Sequence, residues 1–462
     1  MSSKLKKNIF LVGIGSFSSK VLVFLLVPLY TSVLSTEEYG TVDLIFITVS
    51  LLMPLFTCVV FESMFRYLLD KDIDQKDIVT VGLIVNLIGL VGFLLFSPAV
   101  FLFPNLKEYY ILIVLYYFSY TLYENLSYIT RGLEKMALFS VSGVLSTLLV
   151  IFFNLLFLLK FNLGIKGYLL SYIWAYFVSS VFVIFVGKIH KLVVFPQKRH
   201  IDVLRMMMKY SLPLVPNSLS WWVSNSSDKY ILTMYHGAGT SGLYAVSYKI
   251  PSIANAISSV FNSAWQTSAV DFYNSEETAS KYGIIFESYF TFQLFGSMIL
   301  ILFSKILSYF LFQNDFFEAW NFVPILCIAS FFHSLGEFLG AIYRCSQKTK
   351  AIFYSTLTAA LSNIILNFIL IPRYHGYGAA IATMISYFIV FIIRFVHGRR
   401  IICFPVHSVR LTICILLILV AMIFMCCNTL YSWLLCGGIL LVLFGIQYKS
   451  VLSLAKQILC KK

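Results

Sequence analysis

The chain consists mostly of long apolar runs that are separated by short polar loops. An α-helix needs roughly 20 apolar residues to cross the hydrocarbon core of a bilayer, and the 462-residue sequence, 60% hydrophobic and only 12% charged, offers such runs along its whole length. Only helices and closed barrels span lipid, and no run alternates with the period of two of a barrel strand. The sequence therefore predicts an all-α polytopic membrane protein of about 14 transmembrane helices. The predicted spans are 8–34, 41–68, 78–103, 109–130, 137–160, 166–187, 211–235, 242–267, 283–312, 318–344, 351–371, 377–397, 410–428 and 431–452.

The positions of Lys and Arg predict the orientation, because cytoplasmic loops carry an excess of these residues. With the N-terminus inside, 26 of the 34 basic residues lie in the two tails, counting Lys449 near the end of the last span, and in every second loop: 66–77, 131–136, 188–209, 268–282, 344–350 and 394–410. The opposite loops hold only Lys107, Lys160, Lys166 and Arg373. We therefore predict that both termini are cytoplasmic and that the loop at 236–241 lies outside.

An internal repeat divides the chain. A shift of 213 positions overlays helix four on helix ten, and the matches include charged residues, which rarely coincide by chance. The matched pairs are Phe118 with Phe331, Glu124 with Glu337, Arg131 with Arg344, Lys135 with Lys348, and Asn154 with Asn367. The shift equals six helices, so both copies have the same orientation, and substrate sites are expected at the interface of such repeats. We predict an N-lobe (1–187), a cytoplasmic linker (188–209), a C-lobe (210–397), and helices 13 and 14 with a cytoplasmic tail (398–462).

Several predicted helices carry polar stripes at helical spacing. Helix four has Tyr117, Tyr120, Glu124, Ser127 and Arg131 on one face, and helix ten repeats the Glu/Arg pattern. Charged groups in lipid are costly and usually face a cavity or a partner. If the stripes line one cavity, the candidates for substrate binding are Lys20, Arg66, Arg131, Asp228, Lys229, Lys249 and Arg344. The candidates for ion coupling are Glu124 and Glu337. The alternative is that the stripes hold helices together by small-residue contacts and hydrogen bonds.

Other functional classes lack their sequence signals. The sequence has no nucleotide-binding Gly-rich loop, no Cys/His spacing of a metal site and no catalytic triad or large soluble domain. We predict no cofactor, no metal and no enzymatic activity. The net charge of +14 arises from basic residues scattered over short loops, which indicates membrane orientation rather than nucleic-acid binding.

Three stretches resemble motifs of the bacterial polysaccharide-export flippases, the Wzx-like family, and the resemblance extends over essentially the whole chain. They are the seventh-helix stretch from Ser211 to Tyr244, with Pro213, Asn217, Asp228, Lys229 and Gly237; Ser35-Thr-Glu-Glu-Tyr-Gly40 after helix one; and Gly376-Tyr-Gly-Ala-Ala-Ile-Ala382 before helix twelve. Ser19-Lys20-Val-Leu is also similar to the Ser-Arg-Val-Leu stretch of lipid II flippases, whose basic residue lines the cavity.

The resemblance implies two six-helix lobes, alternating access and a location in the bacterial inner membrane. It implies as substrate an O-antigen or capsule repeat unit linked to undecaprenyl diphosphate, and as partners membrane lipid, a polysaccharide polymerase and a chain-length regulator. Two alternatives share the fold: a MATE-like multidrug or cation exporter, and a lipid II type flippase. A MATE exporter is expected to have an acidic or apolar cavity. A glycosyltransferase or polymerase, the enzyme alternative, requires a large soluble domain or a long catalytic loop.

Overall fold

The structure is a computed structural model that describes residues 24–70, 72–273, 278–346, 348–429 and 431–459. Within these ranges every regular element is a helix, which confirms the all-α prediction. Eight described segments are long and apolar enough to cross a membrane, so the chain is a multi-pass membrane protein. They are Thr36–Phe56, Gln75–Leu102, Met136–Lys160, Gly164–Val186, Thr278–Leu302, Asn314–Cys345, Lys350–Ile401 and Ser408–Cys427.

The helices follow one another with few residues between them. In chain order they are α1 (Val27–Val33), α2 (Thr36–Phe56), α3 (Val60–Leu68), α4 (Gln75–Phe96), α5 (Pro104–Lys107), α6 (Tyr110–Gly132), α7 (Met136–Asn154), α8 (Gly164–Val186), α9 (His200–Ser211), α10 (Leu214–Ser247), α11 (Lys249–Tyr273), α12 (Thr278–Leu302), α13 (Ser304–Leu311), α14 (Val323–Cys345), α15 (Thr349–Ile401), α16 (Ser408–Cys427) and α17 (Ser432–Leu459). Short 3₁₀ turns cover Ser97–Leu102, Ile189–Leu192 and Asn314–Phe322, and a π turn covers Leu155–Lys160.

The predicted spans from the second to the fourteenth each overlap a described helix, and the first is described only from residue 24. The span 41–68 is interrupted between α2 and α3. Pro54 cannot donate a backbone hydrogen bond, and Cys58 and Val59 have φ angles of 51° and 55°. This left-handed conformation is costly for a β-branched residue such as Val59. It separates α2, which ends at Phe56, from α3, which begins at Val60.

Two long helices each contain a break, and each overlaps two of the predicted spans. In α10 the break is at Gly237, whose φ of 82° is accessible at low cost only to glycine. In α15 it is at His375, with a φ of 51°, three residues after Pro372. The two breaks correspond to the predicted loops between helices seven and eight and between helices eleven and twelve.

The helix boundaries repeat with the period of the sequence. The helices α6 and α14 both contain 23 residues and begin at Tyr110 and Val323, which are 213 positions apart. The next helices, α7 and α15, begin at Met136 and Thr349, again 213 positions apart. The matched residues of the repeat therefore occupy equivalent helical positions.

The Ser35 motif forms a capping box at the start of α2. The Ser35 hydroxyl accepts a hydrogen bond from the Glu38 N–H at 3.2 Å, and the Glu38 carboxylate accepts one from the Ser35 N–H at 2.8 Å. This reciprocal arrangement satisfies two backbone donors at the helix start. The motif therefore has a structural role in the fold.

The chain divides into two compact units, Met1–Ser226 and Ser227–Lys462. In the first unit α3, α4, α6, α8 and α9 enclose an apolar cluster around Met64, Val79 and Ile129. The second has its own cluster around Leu232, Tyr244 and Leu326. The helix α9 lies largely within the predicted linker 188–209, where no membrane span was expected.

The last two helices are attached to α12 by polar contacts. Glu287 of α12 forms an ion pair with Arg410 and accepts a hydrogen bond from the Ser450 hydroxyl. Glu287, in the predicted C-lobe, thus contacts both of the helices that follow that lobe.

Candidate functional site

The predicted site residues fall into groups that belong to different units, so each unit is described by itself. Lys20 lies outside the described residues. Arg66, Glu124 and Arg131 belong to the first unit, and Asp228, Lys229, Lys249, Glu337 and Arg344 to the second.

Arg131, on the last turn of α6, lies among aromatic rings. Its guanidinium carbon is 4.0 Å from the centroid of the Tyr128 ring, 5.2 Å from Phe139 and 5.5 Å from Phe65. Cation–π contacts become stronger when they are desolvated. The buried Nε atom has no hydrogen-bond partner within the described ranges. The aromatic cage therefore holds a cation that retains donor capacity for an anion.

Two carboxylates flank this cage. The Tyr128 hydroxyl donates a hydrogen bond to Glu62 of α3 at 3.3 Å. Glu124 lies one helical turn before Tyr128 and interacts electrostatically with Arg131. Both carboxylates are half-buried. Arg66 is exposed and lies 5.9 Å from the Tyr67 ring, so it contacts a different aromatic ring from those of the Arg131 cage.

A ladder of tyrosines leads along the first unit towards Glu124. Its members come from α6 and α8 at intervals of three or four residues: Tyr116, Tyr120, Tyr123, Tyr168, Tyr172 and Tyr176. The rings of Tyr172 and Tyr176 are 5.9 Å apart, and Tyr176 lies 5.7 Å from Tyr120 and 5.1 Å from Tyr123. Neighbouring rings at these separations interact favourably. Four members of the ladder interact electrostatically with Glu124: Tyr116, Tyr120, Tyr123 and Tyr176.

Tyr117 does not join this ladder, although the helical spacing predicts that it shares a face with Tyr120 and Glu124. Its ring stacks on Phe93 of α4 at 3.7 Å. On the same side of α6, the Asn86 amide donates to the Asn125 side chain at 2.8 Å. This part of the stripe therefore joins α6 to α4, which is the packing role that the sequence left open.

Asp228, in the second unit, is only 1% exposed and is enclosed by hydroxyl groups. One carboxylate oxygen accepts hydrogen bonds from Tyr244 at 2.7 Å, Thr383 at 3.4 Å and Tyr248 at 3.5 Å. The other oxygen accepts from the Lys229 N–H at 2.9 Å. A buried carboxylate is costly unless hydrogen bonds of this kind satisfy it.

The hydroxyl shell around Asp228 continues into buried amides of α15. The Asn363 side chain donates to Thr383 at 3.3 Å, and Asn367 donates to Asn363 at 2.9 Å. The Asn367 oxygen is buried without a hydrogen-bond partner in the described structure. In the first unit, the side-chain oxygen of Asn154, the repeat partner of Asn367, is also buried without a partner in the described structure. The oxygen-rich group around Asp228 is suited to holding a proton or a small hard cation.

Glu337 is engaged by Arg394, which is 2% exposed within α15. The guanidinium donates to Glu337 at 3.3 Å, to the Gly336 carbonyl at 2.9 Å, and to Ser355 and Thr356 at 3.1 Å each. Arg394 lies where the predicted span 377–397 overlaps the predicted loop 394–410, and its neighbours on α14 and α15 satisfy its charge inside the helix bundle. The signal was present in the sequence, since Arg394 lies inside the apolar run 389–396.

The remaining candidates lie near these groups or apart from them. Arg344 is exposed and interacts electrostatically with Glu337. Lys229 lies 6.0 Å from the Tyr248 ring, and Lys249 is half-buried at the start of α11. In the described ranges no three His, Cys, Asp or Glu side chains converge as metal ligands.

Comparisons with known proteins agree with this architecture. The family described as polysaccharide biosynthesis protein matches residues 5–270. An uncharacterized membrane protein of Methanocaldococcus jannaschii is 25% identical over 415 residues, which cover 84% of this chain and 96% of that protein.

Two solved structures have the same fold. A multidrug resistance MATE family transporter of the MOP superfamily, in an inward-facing conformation, has a TM-score of 0.70 at 17% identity, covering 84% of this chain and 98% of that one. The lipid II flippase MurJ, in an inward closed conformation, has a TM-score of 0.71 at 15% identity, covering 96% and 100%. At these identities the likeness concerns the fold alone.

Proposed function

The chain belongs to the polysaccharide biosynthesis protein family, and from this membership we infer that it is a flippase for lipid-linked glycans. We propose that it carries oligosaccharide repeat units linked to undecaprenyl diphosphate from the cytoplasmic to the outer leaflet of a bacterial inner membrane. Alternating access requires two conformations whose populations shift with the bound substrate. In this proposal both termini are cytoplasmic, and a polymerase and a chain-length regulator act on the exported unit.

The aromatic cage of Arg131 carries the proposal. A diphosphate needs a cation with free donors, and guanidinium is well suited to phosphate. Arg131 offers a buried Nε without a partner in the described structure, 4.0 Å from the Tyr128 ring. The tyrosine ladder begins on the same helix and offers rings and hydroxyls of the kind that pack against sugars. In this proposal α6 supplies Arg131 for the diphosphate and tyrosine rings for the sugars.

The test is a set of α6 variants in a strain that lacks its own copy of the gene. We expect Arg131→Ala to abolish surface glycan and to accumulate lipid-linked repeat units, with normal protein in the membrane. Arg131→Lys should retain part of the activity, because Lys keeps the charge but loses the guanidinium fork. Lys107→Ala, which removes an exposed cation elsewhere in the same unit, is the matched control. Normal surface glycan in Arg131→Ala would contradict the proposal.

Lys20 remains a proposed second contact for the diphosphate. We expect Lys20→Ala to block export, Lys20→Arg to keep substantial activity, and Lys20→Glu to be the most impaired. If Lys20→Ala lowers the amount of protein rather than its activity, Lys20 has a structural role.

Energy coupling is proposed at Glu124 rather than at Glu337. Glu337 already has a buried guanidinium partner, Arg394, within hydrogen-bond distance, so its charge is fixed by the fold. Glu124 is half-buried beside hydroxyls and the Arg131 cage, where gain or loss of a proton can change the local charge. The Asp228 network is a second place where a proton or a small cation can be held.

A MATE-like cation exporter is the second candidate, and the buried carboxylate of Asp228 favours it. Cation export predicts that the chain raises resistance to toxic organic cations and that Asp228→Asn abolishes this resistance. A flippase predicts unchanged resistance and a loss of surface glycan. Measuring both properties in one strain separates the two functions.

A further inference from the structure

The segment between α8 and α10 is fastened to the first unit by a polar clasp. Asp77, at the start of α4, accepts a hydrogen bond from His200 Nε2 at 3.1 Å and forms an ion pair with Arg199 at 2.9 Å. The Gln197 N–H donates to His200 Nδ1 at 2.9 Å, which leaves the proton on Nε2. The Val194 N–H donates to the Thr80 hydroxyl at 3.0 Å. The segment therefore has a defined position.

The apolar side of α9 adds to this attachment. Met207 is fully buried in the cluster formed by α3, α4, α6, α8 and α9, and Val203 and Leu204 pack against the same cluster. Because this side is covered, most of the remaining side chains of the segment are exposed on the surface of the first unit.

The exposed side of the segment is basic, and it also carries two strongly exposed apolar residues. Five cations outside the clasp are exposed: Lys188, Lys191, Lys198, Arg205 and Lys209. Phe195 is 89% exposed and Ile201 is 58% exposed, although neither lies in a predicted span. We call these seven residues the linker surface. The only acid in the sequence from 188 to 209 is Asp202, which lies 3.6 Å from Arg205.

We propose that the linker surface docks on the anionic headgroups of the adjacent membrane leaflet, with Phe195 and Ile201 entering the interface. The segment follows the apolar helix α8 and precedes α10, so it begins and ends close to a membrane boundary. Clusters of Lys and Arg next to a transmembrane helix are attracted to anionic lipid. Aromatic and aliphatic side chains beside such a cluster bind at the headgroup boundary. The proposal does not depend on which substrate the protein carries.

Hydrogen exchange of the full chain in lipid nanodiscs tests the proposal. One set of nanodiscs contains phosphatidylcholine alone, and the other contains a mixture with phosphatidylglycerol. We expect several-fold slower amide exchange in residues 188–199 in the anionic nanodiscs, with the difference reduced at high salt. The amides of α6 serve as an internal reference and should exchange equally in both.

Variants separate the linker surface from a general charge effect. The triple variant Lys188→Gln, Lys191→Gln, Lys198→Gln leaves the Asp77 clasp intact and should abolish the lipid-dependent protection. Phe195→Ser should weaken it. The triple variant Lys107→Gln, Lys160→Gln, Lys166→Gln removes three exposed cations of the same unit and should behave like the unmodified protein.

Several outcomes would overturn the proposal. One is equal exchange in the two lipids, and another is the loss of protection in the control triple variant. Protection by inorganic phosphate in phosphatidylcholine nanodiscs would indicate a free-anion site. Protection that appears only in native membrane vesicles would indicate an acidic protein partner instead of lipid.

Discussion

Arg394 donates a hydrogen bond to Glu337 at 3.3 Å inside the second unit, although 57 residues separate them in the sequence. After a two-residue gap the repeat continues with a shift of 211 positions, which pairs Gly167 with Gly378 and Tyr176 with Tyr387. In this register the position that corresponds to Arg394 is Val183, a buried apolar residue. The two copies of the Glu/Arg motif, Glu124/Arg131 and Glu337/Arg344, therefore differ in their surroundings. One carboxylate has a buried cationic partner across two helices, and the other lies beside an aromatic cage.

The first prediction concerns the structural role of Arg394. Arg394→Met should lower the stability of the protein, because it leaves Glu337 without its buried partner; removing one member of a buried ion pair costs about 3–5 kcal/mol. The measurement is the thermal midpoint of the purified protein in detergent. Arg394→Lys should rescue it only in part, since Lys cannot reproduce the donors that reach Ser355, Thr356 and Gly336 together. An unchanged midpoint in Arg394→Met would show that the pair contributes no stability.

The second prediction separates the two repeated carboxylates by function. Glu124→Gln should abolish export while leaving the thermal midpoint nearly unchanged, because Gln has a similar shape and Glu124 has no buried ion pair in the described structure. Glu337→Gln should lower the midpoint and reduce export only in proportion to the protein that remains folded. Surface glycan per folded protein is the measurement. The coupling role fails if both variants export normally at normal protein levels.

The sequence is sufficient to predict the long apolar helices but not their polar partners. Long apolar runs and a shift of 213 positions predict α6 and α14 with their matching charges, because burial in lipid and local periodicity are properties of single segments. The partner of Glu337 lies 57 positions away, and Thr383 is 155 positions from Asp228. Contacts at such distances depend on the packing of helices. Helix α9 was missed for a different reason: its apolar side is too short for a membrane span and is covered by the unit itself.

The third prediction concerns the hydroxyl shell of Asp228. Tyr244→Phe removes the 2.7 Å hydrogen bond without changing the size of the ring, and a lost hydrogen bond to a charged group costs about 1.5–3 kcal/mol. We therefore expect a lower thermal midpoint and reduced export. Asp228→Asn keeps the size but removes the charge, so it should retain more stability than Asp228→Ala while losing activity. Full export by Asp228→Asn would exclude the network from coupling.

The fourth prediction tests the orientation, starting from a contact in the second unit. The rings of His236 and His375 lie 3.8 Å apart, and His236 Nε2 is 2.8 Å from the Ile371 carbonyl oxygen. The breaks of α10 and α15 are therefore neighbours at one end of that unit. The distribution of Lys and Arg predicts that the loops at both breaks lie outside. Labelling at one break therefore tests the predicted side of the membrane for both.

Single cysteines introduced into a cysteine-free background that still exports glycan provide this measurement. Tyr235 is the better position for the outer loop, because it is 43% exposed in a helical conformation, whereas a side chain at Gly237 is strained by the φ of 82°. Lys198, exposed before α9, represents the inner side. A membrane-impermeant maleimide should label Tyr235→Cys in intact spheroplasts and Lys198→Cys only in inverted vesicles. Lys191→Cys should follow Lys198→Cys, since both precede α9 on the same segment. Labelling of Tyr235→Cys and Lys198→Cys from one side would reverse or reject the predicted topology, because an odd number of membrane crossings must separate them for α10 to span the bilayer.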